Sequence, residues 1–147
     1  MGTIVVGVDG SDGALAALHF AIKEARVRSA DVSAVNAWHV PPMAYGAGWV
    51  PTTVDFEGYR KVARSALDKS LEEVGAAGSG VAVSTHVSEG QPADVLLEAA
   101  REAEMLVVGS RGLGGFRGLL LGSVSQQCAQ HASCPVVVVP AKAGSGT

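Results

Sequence analysis

Apolar residues in this chain follow two rhythms: short unbroken runs, and longer stretches in which they return every three or four positions. The first run, Ile4-Val5-Val6-Gly7-Val8, does not alternate, as expected of a strand covered on both faces. Gly10-Ser11-Asp12-Gly13 then supplies turn and capping residues, and Leu15, Leu18, Ile22 and Ala25 keep helical spacing to about Arg28. Residues 32–38 predict a second strand, with Asp31 as a turn residue before it. A second helix is predicted over residues 56–74 through Val62, Ala63, Ala66, Leu67 and Leu71, and the glycines from Gly75 to Gly80 end it. Residues 81–87 alternate, which predicts a less covered strand near an edge. Ser88-Glu89-Gly90-Gln91 reads as a turn and Pro92 as the opening of a third helix, whose face of Val95, Leu96, Ala99 and Ala100 extends to Ala103. Residues 105–108 give a fourth strand, Gly122-Ser123 the start of a fourth helix, and Val136–Val139 a last strand.

Five strands alternating with four helices imply an α/β fold, a doubly wound five-stranded parallel sheet with helices on both faces, joined by right-handed crossovers. Ligands of such sheets sit beyond the carboxyl ends of the strands, where strand order reverses. Two loops at that end carry unusual residues. Asp9-Gly10-Ser11 follows the first strand, and a loop from Gly109 to Leu121 with glycines at 109, 112, 114, 115, 118 and 122 follows the fourth. Glycine takes positive φ and has no Cβ, so this loop can turn sharply and bring backbone N–H groups against an anion. The helix starting at Gly122-Ser123-Val124-Ser125 adds unpaired N–H groups and a partial positive charge, so loop and helix converge on a phosphate. If the first and fourth strands flank the switch point, phosphate donors stand at one end of the crevice and Asp9 at the other. Arg111 and Arg117 are candidates to neutralise phosphate charge.

A long loop runs from Pro41 to Asp55 with three prolines and no clear period, the form of a lid or binding loop. Tyr45 and Trp49 give it aromatic surface, for packing or for ligand contact. Length and composition set the frame for these features. The chain has 147 residues, 48% of them hydrophobic and few aromatic, which suits one α/β domain over residues 1–140 with a small polar, disordered tail at 141–147. A net charge of −3 argues against nucleic acid as a partner. No run is long enough to span a membrane and no targeting segment is visible, so a cytoplasmic protein is expected. Cys128 and Cys134 read as buried apolar residues in a reducing compartment, and the four histidines show no metal-ligand spacing.

The spacing Gly109-x2-Gly112-x9-Gly122-Ser123, set between a buried strand and a helix, resembles the nucleotide-binding signature of the universal stress protein family. Further matches are Val8-Asp9-Gly10-Ser11, Glu89-Gly90 with Pro92, and Leu106-Val107-Val108-Gly109-Ser110-Arg111-Gly112, so the resemblance runs through nearly the whole chain. It implies a Rossmann-like fold of the adenine-nucleotide-binding type, a homodimer, and ATP binding with Mg²⁺ arriving on the triphosphate. By position, it implies that Gly7, Val8 and Asp9 lie by the adenosine and that the Ala37 backbone meets the adenine edge. Gly109, Arg111, Gly112, Gly122, Ser123, Val124 and Ser125 would surround ribose and phosphates. The Val136–Val139 strand, an apolar edge, supplies a physical motive for pairing with a second copy.

Between Met105 and Thr147 there is no Asp or Glu, and the loop lacks the Gly-Lys-Ser/Thr of a Walker A motif. Asp9, from the opposite side of the crevice, would reach the phosphates only through a metal ion. The leading expectation is an ATP-binding sensor or switch in stress response. A ligand-free dimeric scaffold and a slow ATP hydrolase are the alternatives, with flavodoxin-like FMN binding as a weaker rival.

Overall fold

Strand β1 (Thr3–Gly7) leads through Ser11 into helix α1 (Asp12–Arg28), and β2 (Asp31–Trp38) returns beside β1. The chain is described here from a computed structural model that covers residues 2–41, 54–112 and 121–141. The expectations for Tyr45, Trp49, Arg117, Gly114, Gly115, Gly118 and the tail beyond Ala141 lie outside the described residues. The elements then run α2 (Phe56–Glu73), a single 3-10 turn (Ala76–Gly78), β3 (Val83–Glu89), α3 (Pro92–Ala99), β4 (Met105–Gly109), α4 (Ser123–His131) and β5 (Val136–Val139).

The sheet is parallel with order β3-β2-β1-β4-β5. Chain order therefore reverses between β1 and β4, which puts the loops after these two strands at the switch point. Side-chain parity along each strand divides the core in two. Ile4, Val6, Val32, Ala34, Met105 and Val107 face α1 and α2, where they meet Leu18, Ile22 and Leu67. Val5, Val35, Leu106 and Val108 face α3 and α4, against Leu96 and Cys128. Unbroken apolar runs were needed because both faces are covered. β3 alternates because only Val83 and Val87 pack inward, and it is an edge strand as its sequence predicts.

Local sequence accounts for most of the element ends. Ser11 caps α1, its side chain accepting from Ala14 N at 3.1 Å, and Asp55 caps α2 by accepting from Gly58 N at 2.9 Å. Gly75, at φ 69°, supplies the left-handed residue after α2. Three boundaries differ from expectation. Asp31 is the first residue of β2, because its N–H donates to Gly2 O and it pairs with Thr3. Ser88 and Glu89 remain in β3 through pairing with Ala37 and Trp38, and the turn begins only at Gly90, φ 144°. Helix α3 stops at Ala99 rather than Ala103; Ala103 N instead closes a turn on Ala100 O and the side chain packs in the α3–α4 layer.

Candidate functional site

The carboxyl ends of β1, β2 and β4, together with the starts of α1, α3 and α4 and one side of α2, enclose a cavity of about 580 Å³. The described residues that the family resemblance assigns to nucleotide contact line it. Gly7, Val8 and Asp9 come from the end of β1, Ala37 from the end of β2, Gly109, Arg111 and Gly112 from the end of β4, and Gly122, Ser123, Val124 and Ser125 from the start of α4.

The junction of β4 and α4 is built by close backbone packing. A Cβ added at Gly109 would stand 2.8 Å from Gly13 O, and one at Gly13 would stand 2.5 Å from Arg111 O. The end of β4 therefore rests directly on the first turn of α1, with no room for a side chain at either position. Ser110, nearly buried, ties the loop to its neighbours: its N–H donates to Val139 O at 2.8 Å, and its carbonyl accepts from Gly122 N at 2.6 Å and from Ser125 Oγ at 3.0 Å. Those bonds fix the start of α4 against the end of β4. Gly122 occupies the capping position with no side chain to offer, and among the described residues no acceptor meets the N–H groups of Ser123, Val124 or Ser125. The first turn of α4 thus presents its unpaired donors and partial positive charge to the cavity. Arg111 stands beside them, with no carboxylate paired to it among the described residues.

Two expectations are corrected here. None of Gly109, Gly112 and Gly122 has positive φ; the described glycines that do are Gly10, Gly75, Gly80 and Gly90. Glycine is present at 109 and 112 because the space beside its Cα is taken, not because the backbone turns left-handed. Asp9 also does not stand across the crevice. A Cβ at Gly112 would lie 2.5 Å from Asp9 Oδ2, so the carboxylate abuts the glycine loop itself. Asp9 Oδ1 accepts from Ser11 N at 2.9 Å and Ser11 Oγ at 2.6 Å, which orients the carboxylate and couples it to the cap of α1.

At the other end of the cavity only Ala37 was foreseen, through the family resemblance. Trp38, Tyr59, Val62, Ala63 and Ala66 form a largely apolar wall between the end of β2 and α2, and Leu96 and Pro92 close it from α3. Trp38 meets Phe56 edge-on, ring centroids 6.4 Å apart. Two signals were available. Val62, 71% exposed, continues an apolar row that the core does not need, and Asn36 interrupts the apolar run of β2. The cavity therefore has one end that presents unpaired backbone N–H groups and another that is largely apolar. Among the described residues no group of three or more His, Cys, Asp or Glu side chains could hold a metal.

Comparison with known proteins adds to this geometry. The model of the universal stress protein family matches residues 1–140. The chain is 38% identical over 140 residues to a universal stress protein of Mycolicibacterium smegmatis, covering 92% of this chain and 45% of that one. It spans about half the length of this and the other curated relatives it matches. Among solved structures, a universal stress protein in complex with cAMP superposes with a TM-score of 0.69 at 29% identity, covering 96% of this chain and 98% of that one. The universal stress protein from Archaeoglobus fulgidus in complex with dAMP gives 0.63 at 26% identity, covering 95% and 98%.

Proposed function

This chain belongs to the universal stress protein family, and we propose that it binds an adenine nucleotide, ATP foremost, in the cavity over β1 and β4, acting as a nucleotide-dependent sensor or switch in stress response. The observation that carries this reading is the uncapped first turn of α4, held by Ser110 and Ser125 so that its donors face a cavity whose far end is apolar. The complexes of relatives with cAMP and dAMP support the same ligand class.

In this reading the donors of Ser123, Val124 and Ser125, with Gly112 and Arg111, take the phosphates, while Gly7, Val8 and the Ala37 backbone border the adenosine. Asp9 is the one carboxylate among the described lining residues. A single carboxylate fits Mg²⁺ that is carried mainly by phosphate oxygens and water. With Asp9 Oδ1 already accepting two bonds from Ser11, the described lining offers no separate general base, which favours binding over turnover. A second copy of the chain pairing along β5, the edge strand beside β4, is part of the same proposal. Sedimentation showing only monomer throughout the micromolar range would remove that part alone.

Thermal unfolding with and without nucleotide tests the binding. Mg-ATP at a hundredfold excess over its Kd should stabilise the protein by about 2.7 kcal/mol. An unchanged melting temperature with ATP, AMP and cyclic AMP alike would contradict the reading.

A further inference from the structure

Resting on the nucleotide-site reading, we infer that Asn36 selects the base, by holding its side-chain carbonyl as a fixed hydrogen-bond acceptor for the exocyclic 6-amino group of adenine. Asn36 is 6% exposed, in the middle of an apolar strand, where an amide is costly unless bonded. Its Nδ2 donates to Ala63 O in α2 at 2.9 Å. A backbone carbonyl can only accept, so this bond settles which way the amide points: nitrogen to α2, oxygen away from it.

Oδ1 has no donor among the described residues. Yet every fully enclosed side-chain oxygen or nitrogen among them has a partner. Oδ1 is therefore not fully enclosed, and Asn36 is one of the residues that line the cavity. It does so at the apolar end, beside Tyr59, Val62 and Ala63, away from the anion-binding turn of α4. A lone, immobilised acceptor in apolar surroundings discriminates strongly, because a ligand group that cannot donate leaves it unbonded, and a carbonyl placed there repels it. Adenine offers an amino group at the 6-position. Hypoxanthine and guanine place an oxygen there.

The test compares ATP with the 6-unsubstituted purine riboside triphosphate, which lacks only the amino group, and with ITP, which places an oxygen at position 6 and a hydrogen on N1. Affinities are measured by calorimetry for the wild type and for Asn36→Leu, which keeps the side chain's approximate volume. The wild type should bind ATP at least about tenfold more tightly than the 6-unsubstituted analogue, with ITP no tighter than that analogue. In Asn36→Leu the ratio of ATP to the 6-unsubstituted analogue should fall to near one. Equal wild-type binding of all three overturns the inference while leaving the nucleotide site standing, and needs no variant to fold. Weakening of all three by the same factor in Asn36→Leu assigns Asn36 to positioning α2 only, which also overturns it. Failure of the wild type to bind any of the three removes the underlying reading as well.

Discussion

At the residue scale, the site is decided by what is absent or enclosed. Gly109 and Gly112 matter because backbone and a carboxylate occupy the positions their side chains would take. That could not be read from the sequence, which shows a run of glycines but not which neighbour stands against each. Asp9 was recognisable from its place at a strand end, while its adjacency to Gly112 depends on two loops about a hundred positions apart in the chain. Asn36 was overlooked for the same reason, its orientation being set by Ala63, 27 positions away. Cys128 behaves as the sequence predicts. It is fully buried on the inner face of α4, in the core cluster with Leu96, Leu106 and Val108, and burial pushes its thiol up to about 11. An acid whose pKa is raised on folding contributes stability that is intact below its unfolded value, about 8.5, and is lost as the pH climbs toward the folded value. The urea midpoint should therefore fall more between about pH 8.5 and about pH 11, the window of these two values, in the wild type than in Cys128→Ala. Identical pH profiles for the two proteins would show that the thiol is not held protonated by the fold.

At the element scale, the proposed function rests on how α4 begins. Helices α1 and α2 both open with a side-chain cap, whereas α4 opens at Gly122 with none. Ser123, exposed in its first turn, offers a direct handle. Ser123→Asp places a negative charge where the helix favours one, so stability should hold or rise by about 0.3–1 kcal/mol. The same charge competes with a bound phosphate, so ATP affinity should drop at least about tenfold. Denaturation curves and a binding isotherm on one preparation read both effects; unaltered ATP binding would mean that the phosphates lie elsewhere. The start of α4 was visible in the sequence because Gly122-Ser123 directly precedes its apolar spacing. The end of α3 was not, since Ala103 keeps helical spacing while packing as part of a turn.

At the scale of the whole molecule, five parallel strands in the order β3-β2-β1-β4-β5 place the described candidate residues at one end of the sheet. Hydrophobic rhythm was enough to foresee the fold class, because a doubly covered sheet demands unbroken apolar runs and leaves alternation only for an edge such as β3. The half of the cavity at the junction of β4 and α4 was legible too, since glycine spacing and a helix start are local in sequence. Apart from Ala37, which the family resemblance supplied, the apolar half was not, because α2 and the end of β2 meet only through tertiary packing.

The central claim is that a nucleotide's phosphates bind at the junction of β4 and α4. Calorimetric titration of nucleotide-stripped protein with Mg-ATP, wild type beside Gly122→Val, addresses it most directly. Gly122 has extended backbone, φ −76° and ψ 172°, and an added Cβ would make only ordinary contacts at 3.5 Å with Arg111 Cα and Ser110 O. The variant should consequently fold while its branched side chain crowds the donors of α4. The account predicts saturable binding to the wild type and none to the folded variant; equal binding by both, or by neither, would contradict it.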